Sequence, residues 1–244
     1  MLEETQFDRT DRLFGEGASV VLAQKRVAVF GVGGVGGYAV EALARAGVGQ
    51  IDLCDHDTVS LSNLNRQIIA LHSTVGRLKV DVLRERIADI NPAATVRTYP
   101  VFFTPENAND FDFSAYDYVL DAIDTVSGKI ELVLRAKAAN VKIISAMGAG
   151  NKIGTAAFEV TDLFRTSVCP LARVMRTELR RRGVRDLKVV YSKEEPRAPY
   201  KRAGEEKLRK VAPGSVSYMP SVAGLLMAGE VIRDLLLHKQ TQRG

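Results

Sequence analysis

The segment RVAVFGVGGVG, residues 26–36, decides the fold of this chain. Its first five residues, RVAVF, form a short β-branched run typical of a strand, and the glycines that follow open a helix predicted over 38–46. Glycines in that place allow a tight turn and let backbone N–H groups approach a phosphate at the positive end of the helix. The segment therefore predicts a nucleotide-binding turn between a strand and a helix.

Strand-like and helix-like patterns alternate on the C-terminal side of this turn. We predict strands at 51–54, 96–99, 118–120 and 142–145, and helices over 75–90 and 130–139. Such alternation is typical of a mostly parallel sheet with helices on both faces. The fold class is therefore α/β, a Rossmann-like doubly wound sheet.

The alternation loosens after residue 150. A strand at 155–160, a basic helix over 170–182, a strand at 188–191 and a packing helix over 222–237 are predicted there, with a charged, Pro- and Gly-containing loop at 194–214. We divide the chain into a nucleotide-binding part, 1–150, and a smaller C-terminal β/α extension, 151–244. The extension is expected to complete the sheet within one continuous domain.

The composition is that of a globular protein. The 244 residues are 46% hydrophobic and 26% charged, which excludes a mostly disordered chain. No run of eighteen apolar residues and no secretory signal are seen, so we expect a cytoplasmic protein without a membrane partner. Two cysteines exclude a disulfide scaffold and a four-cysteine zinc site within the chain.

A second polar segment, DHDTVSLSNLNRQ at 55–67, follows the strand predicted at 51–54. Asp55 closes that strand, where a carboxylate can accept hydrogen bonds from ribose hydroxyls. A dinucleotide needs no guanidinium there, whereas a triphosphate suits Arg66, which can grip phosphate oxygens, and Asn63, which can donate its amide N–H. Lys79, near the start of the next helix, can add a charge to the same phosphates; by itself it would be a surface lysine.

Two acids follow the strand predicted at 118–120, in the segment YVLDAID. They lie at the carboxyl ends of the strands, where ligands bind in open α/β sheets. One or two carboxylates together with substrate phosphates suit Mg²⁺. We expect Asp124 to bind the metal and Asp121 to have a capping or turn role.

These motifs resemble a known family. In order and spacing, GVGGVG, DHDTVSLSNLNRQ, the lysine of GRLKV and DAIDT resemble the adenylating domain of the ubiquitin-activating-enzyme-like MoeB/ThiF/HesA superfamily. The resemblance covers at least residues 5–150. Within the superfamily, FDRTDRLFGE, EALARAGVG, INP, TPEN and EVTDLF resemble the tRNA threonylcarbamoyladenosine dehydratases.

The resemblance implies a site for ATP and Mg²⁺. The nucleotide-binding residues that it implies are Gly31, Gly33, Gly34, Gly36, Asp55, Asp57, Asn63, Arg66, Gln67 and Lys79. It also implies that Asp124 binds Mg²⁺ and that Arg12 reaches into the active site of a partner subunit, so that the enzyme is a homodimer. The implied catalytic residues are Arg12, Arg66, Lys79 and Asp124.

The resemblance further implies the reaction. ATP would adenylate the threonyl carboxylate of N6-threonylcarbamoyladenosine in tRNA, and cyclisation would then expel AMP with net loss of water. Residues 165–210 hold fifteen Lys and Arg against six Asp and Glu, which favours a polyanionic partner. The candidates for phosphate contacts are Arg173, Arg176, Arg180, Arg181, Arg182, Lys201 and Arg202. The alternative is a solvated helix face and loop.

Two other functions stay open. One is an adenylyltransferase that activates the C-terminus of a ubiquitin-like sulfur-carrier protein; such enzymes commonly carry two CxxC pairs, and this chain has only Cys54 and Cys169. The other is an oxidoreductase-type or purely nucleotide-binding Rossmann protein, against which Asn63, Arg66 and Lys79 argue. The role of Cys169, a bound monovalent cation and a sulfur-relay partner also stay open, and no zinc is expected.

Overall fold

Residues 4–201 and 211–237 are described by a computed structural model, in which one mixed sheet is flanked by helices. The strands are β1 Arg26–Phe30, β2 Gln50–Cys54, β3 Thr95–Tyr99, β4 Tyr118–Asp121, β5 Lys142–Ala146, β6 Phe158–Asp162 and β7 Lys188–Ser192. The α-helices are α1 Asp8–Phe14, α2 Ala18–Ala23, α3 Gly36–Ala46, α4 Lys79–Ile90, α5 Val126–Ala138, α6 Pro170–Arg181 and α7 Tyr218–Leu237.

The strand order is β3-β2-β1-β4-β5-β7-β6. All pairs are parallel except β6 with β7, which is antiparallel. The chain leaves β1 toward β2 on one side, and β4 lies on its other side, so a crevice opens at the carboxyl ends of β1 and β4. The predicted Rossmann-like α/β class is confirmed.

Most predicted elements are present, and the differences concern the first residues of β6 and α5 and two helices near the N-terminus. The strand predicted at 155–160 begins later, at Phe158, because a 3₁₀ turn occupies Thr155–Ala157. Helix α5 begins at Val126 rather than at residue 130, although its first turn holds Gly128, a poor helix former. Helices α1 and α2 were not predicted from the sequence. Of the loop predicted at 194–214, residues 202–210 lie outside the described residues.

Alternation along the strands divides the core between the two faces of the sheet. Val27 and Val29 point to one face, where α3, α4 and α7 supply the buried apolar side chains. Ala28 and Phe30 point to the other face, toward α5 and α6. Because both faces are covered, β1 reads as a continuous apolar run instead of an alternating one.

The last helix, α7, is apolar because it packs on the sheet. Met227 and Val231 have no exposed surface and join the core with α3, as the sequence predicted for a packing helix. Within the described residues no helix combines the length and hydropathy that crossing a membrane requires.

Replacing Met227 by Ala is expected to lower the free energy of unfolding by about 2–5 kcal/mol, because the substitution leaves a cavity between α7 and the sheet. Urea titration followed by circular dichroism measures this change. Leu237, on the same helix with 47% of its surface exposed, is the control, and Leu237→Ala should cost less than about 1 kcal/mol. Equal losses for the two variants would contradict the packing described for α7.

Candidate nucleotide-binding site

The loop between β1 and α3 requires glycine at two positions. Gly31 has φ +83°, and a Cβ atom there would lie 2.6 Å from the carbonyl oxygen of Ala122. A Cβ atom on Gly36 would collide with the carbonyl oxygen of Gly31. Neither position tolerates a side chain, because the loop lies directly against the chain that leaves β4 and folds back on itself. The glycine spacing thus brings the ends of β1 and β4 together at the crevice.

Backbone N–H groups face this crevice at the start of α3. Val35 occupies the N-cap position, and no side chain caps the helix. Asp55 supports the loop from the end of β2, since its Oδ2 accepts a hydrogen bond from the N–H of Val32 at 2.9 Å. Its Oδ1 accepts one from the N–H of Asp57, also at 2.9 Å. An uncapped helix N-terminus beside a supported glycine loop suits a phosphate group.

Lys79 is not a surface lysine. Its side chain is 5% exposed, and its Nζ lies 2.6 Å from Oδ2 of Asp57, which is half exposed. The backbone N–H of Lys79 also donates to the carbonyl oxygen of Asp57, at 3.0 Å. The ion pair holds the ammonium group against the segment that follows β2. An anionic ligand there would compete with Asp57 for the same charge.

Asn63 ends the short 3₁₀ helix Leu61–Asn63 after β2, and Arg66 lies in the turn that follows it. The Cγ of Arg66 is 3.6 Å from the position of a Cβ on Gly34, so its stem packs on the glycine loop. Its Nη1 donates to the carbonyl oxygen of Ser62 at 2.8 Å, and it forms no salt bridge within the described residues. Asn63 is 8% exposed, and its Oδ1 accepts from the N–H of Ser60 at 3.1 Å. Arg66 therefore offers an unneutralised charge, and Asn63 shapes the segment.

Gln67 has an unpaired buried oxygen beside the glycine loop. It is 7% exposed and packs against the glycine loop, with its Nε2 3.5 Å from the position of a Cβ on Gly33. Its Oε1 is the one buried side-chain oxygen or nitrogen in the described ranges that has no hydrogen-bond partner. Since buried polar atoms are normally paired, a donor from a ligand or a water fits here. The donor set around the glycine loop thus fits a nucleotide.

The two acids after β4 have different environments. Asp121 is fully buried, and the Nζ of Lys129 lies 2.9 Å from both of its carboxylate oxygens. Ser145, at the end of β5, donates to Asp121 and lies 3.3 Å from the same Nζ. Asp124 is exposed and has no hydrogen bond or ion pair within the part of the chain that is described. A free carboxylate of this kind fits Mg²⁺, whereas Asp121 is already neutralised.

The burial of Lys129 and its pairing with Asp121 were not predicted from the sequence. In the sequence Lys129 is one of many lysines, at the start of a helix whose first turn was not predicted. The only available signal was its position eight residues after a strand-ending aspartate, and burial at 0% exposure could not be read from that spacing. The predicted turn role of Asp121 is present, as Oδ1 accepts weakly from the N–H of Ile123 at 3.3 Å, but the ion pair with Lys129 dominates.

Arg12 does not join the other predicted residues. It is exposed on α1, which packs against α2. The ring of Phe7 lies 3.2 Å from the position of a Cβ on Gly47, at the end of α3 remote from the glycine loop. Helix α3 spans about 16 Å between those two ends. This contact therefore places the start of α1 away from the glycine loop of its own chain.

Both cysteines are buried. Cys54 lies at the end of β2, and burial beside Asp55 raises the pKa of its thiol to about 12, so it behaves as a small apolar residue. Cys169 is 2% exposed at the N-cap of α6, and its Sγ lies 3.9 Å from the position of a Cβ on Gly148. Burial lowers the pKa of the neighbouring Lys152, whose Nζ donates to the carbonyl oxygen of Ser192.

The fold and the site define a nucleotide-binding protein of the Rossmann type, with basic side chains gathered around its glycine loop. The chain belongs to the ThiF family, whose profile matches residues 7–244. The predicted family membership is thereby confirmed.

Three known proteins illustrate the family. The tRNA threonylcarbamoyladenosine dehydratase of Bacillus subtilis (strain 168) is 43% identical over 98% of this chain and 97% of that protein. The crystal structure of E. coli tRNA N6-threonylcarbamoyladenosine dehydratase, TcdA, in complex with ATP aligns with a TM-score of 0.88 and 33% identity, over 98% of this chain and 96% of that one. The adenylyltransferase and sulfurtransferase UBA4 of Saccharomyces cerevisiae (strain YJM789) is 40% identical over 57% of this chain and 31% of that protein.

Replacing Lys129 by Met is expected to lower the free energy of unfolding by about 3–5 kcal/mol, because Asp121 is then a buried charge without a partner. The double variant Lys129→Met with Asp121→Asn should recover much of this loss. Lys137, on the same helix and paired with the exposed Asp186, provides the control, and Lys137→Met should cost less than about 1 kcal/mol. Chemical denaturation compares the four proteins, and a Lys129→Met loss no larger than that of Lys137→Met would contradict the role of the buried pair.

Proposed function

We propose that this protein is an ATP-dependent enzyme that dehydrates N6-threonylcarbamoyladenosine in tRNA and that it acts in the cytoplasm. The observation that carries the proposal is the glycine loop with an unneutralised Arg66 and an unpaired Gln67 oxygen beside it, the donors and acceptors that ATP requires. The proposal is supported by relatives with that name, among them the Bacillus subtilis protein whose length this chain covers almost completely.

The first step makes a carboxylate reactive. An oxygen of the threonyl carboxylate attacks the α-phosphorus of ATP, the bond to the bridging oxygen breaks, and pyrophosphate leaves with the electron pair. The product is an acyl-adenylate, in which AMP is a good leaving group. Arg66 and Lys79 would stabilise the charge that develops on the phosphates, with Lys79 exchanging its partner Asp57 for phosphate oxygens.

The second step is intramolecular. The oxygen of the neighbouring carbamoyl group attacks the activated carbonyl carbon, AMP departs with the former carboxylate oxygen, and a proton leaves the carbamoyl nitrogen. The net change in the nucleoside is the loss of one water and the closure of an oxazolone-type ring. Both reacting groups belong to the modified nucleoside. The protein therefore has only to hold the threonylcarbamoyl group in a folded conformation and to exclude water.

Mg²⁺ is the metal that we propose for this site. It would neutralise phosphate charge on ATP, and Asp124 is the residue that would hold it, because its carboxylate is exposed and unpaired among the described residues. A monovalent cation and a sulfur-relay protein stay predictions.

We also propose a homodimer in which Arg12 acts on the partner's nucleotide. The placement of the start of α1 away from its own glycine loop supports this arrangement. An apolar groove of about 510 Å³ between α1 and α7, lined by Phe14, Leu225 and Ile232, offers a surface for a second copy. Leu13, 78% exposed beside Arg12, extends that surface.

A second candidate is activation of a ubiquitin-like sulfur-carrier protein. The similarity to UBA4 favours it, since that protein is an adenylyltransferase and sulfurtransferase. The two cysteines of this chain form no CxxC pair and are both buried, which weighs against sulfur transfer. The two candidates differ in the molecule that supplies the carboxylate.

Incubation of the purified protein with Mg·ATP and tRNA carrying threonylcarbamoyladenosine is expected to give a nucleoside lighter by one water. Mild digestion followed by mass spectrometry detects the product, and omission of ATP is the control. Arg66→Ala and Asp124→Ala should abolish the product without a change in melting temperature. Pyrophosphate exchange that appears only with a sulfur-carrier protein, together with no mass change, would favour the second candidate instead.

Mixing two inactive variants tests the role of Arg12. Arg12→Ala and Asp124→Ala should each be inactive alone, because every active site lacks one group. After subunit exchange, mixed dimers contain one complete site, so about a quarter of wild-type activity should return. The control is each variant mixed with itself. If Arg12→Ala is inactive and no activity returns on mixing, Arg12 acts within its own chain or only on stability.

A further inference from the structure

Three arginines lie along one flank of α6, and a fourth lies on the segment beside it. Arg173, Arg176 and Arg180 recur at helical spacing, so they share one flank of the helix. The segment 163–166 runs beside that flank, since Arg176 Nη1 donates to the carbonyl oxygen of Thr166 at 3.0 Å and Arg180 packs over the ring of Phe164 at 5.4 Å. Arg165 lies on the same segment. We call Arg165, Arg173, Arg176 and Arg180 the arginine stripe.

The charges of the arginine stripe are not neutralised. None of its four members forms a salt bridge with a carboxylate within residues 4–201 and 211–237. By contrast, Arg181 and Arg182 both pair with Glu178, at 3.1 and 2.7 Å. The structure thus separates the arginines that the sequence grouped together. Of the predicted phosphate contacts, Arg173, Arg176 and Arg180 keep a free charge, Arg181 and Arg182 do not, and Arg202 lies outside the described residues.

The arginine stripe starts beside the proposed active site. Cys169, which precedes α6, lies against Gly148, just beyond the end of β5 at the edge of the sheet that carries the glycine loop. Arg173 is therefore about 6 Å along the helix from that edge, and Arg180 is about 10 Å further. A ligand that extends away from the site over α6 would meet Arg173 first and Arg180 next.

We propose that the arginine stripe binds the phosphate backbone of the tRNA whose modified nucleotide enters the site, an inference that rests on the proposed function. Guanidinium groups bind phosphate oxygens through paired N–H donors, and such contacts supply affinity and orientation without reading bases. The packing of Arg180 on the ring of Phe164 restrains one of these guanidinium groups. Arg176 positions the stripe by joining the helix to Thr166.

The test compares two double variants of the same helix. Arg173→Gln with Arg180→Gln removes two free charges and keeps most of each side-chain stem, whereas Arg181→Gln with Arg182→Gln removes two paired ones. Each phosphate contact contributes about 0.7–0.9 to the slope of log affinity against log salt, so the first variant should lose about 1.4–1.8 from that slope. If the affinities of the two proteins are equal at about 1 M salt, this change in slope corresponds to a roughly 15- to 30-fold loss of tRNA affinity at about 0.15 M salt.

The control variant should change tRNA affinity less than about threefold. Fluorescence anisotropy with the modified tRNA gives the affinities, and both variants should bind ATP as the wild type does. In turnover, the first variant should raise KM for tRNA with kcat unchanged at saturation. Equal salt slopes for the two variants would overturn the proposal.

The same experiment distinguishes failure of the proposed function from failure of the arginine stripe to bind tRNA. If the wild type binds the modified tRNA but yields no dehydrated nucleoside, the proposed function fails while the comparison of slopes still decides the stripe. If the wild type dehydrates the tRNA and the first variant keeps full affinity, the stripe fails and the function stands.

Discussion

The ion pair between Asp121 and Lys129 holds together the part of the sheet on which the site is built. Both side chains are fully buried, and Ser145 joins them from the neighbouring strand. Burial of two charges is expensive, and a buried ion pair often contributes little net stability compared with apolar residues. We therefore interpret the role of this pair as positioning. It joins the end of β4, the end of β5 and the first turn of α5 to one another.

The ion pair restrains the short connection between Asp121 and Lys129. Ala122 lies against Gly31, so the glycine loop and the chain that leaves β4 cannot move independently. Asp124 lies on the same short connection, between the strand end held by Asp121 and the helix held by Lys129. If Asp124 holds a metal as proposed, such support would reduce the rearrangement needed when the ligand binds.

Several residues with predicted ligand roles also maintain the site without a ligand. Asp55 supports the glycine loop through Val32, Asn63 shapes its own segment through Ser60, and Asp57 holds Lys79. These contacts within the chain therefore shape the crevice. Gln67 is the exception, because its buried oxygen has no partner among the described residues. A donor from a ligand or a water would pair with that oxygen.

The sequence by itself determined the Rossmann-like class, the strand β1, the glycine loop and the edge of the sheet at which the polar residues gather. These features follow from local periodicity and from glycines that the backbone requires. Only the tertiary structure decided that Lys79 is buried, that Lys129 pairs with Asp121, and that β6 runs antiparallel to β7. It also decided which arginines of α6 are neutralised. The physical reason is that burial and ion pairing depend on which elements meet in space, and residues far apart in the chain carry no local sign of that meeting.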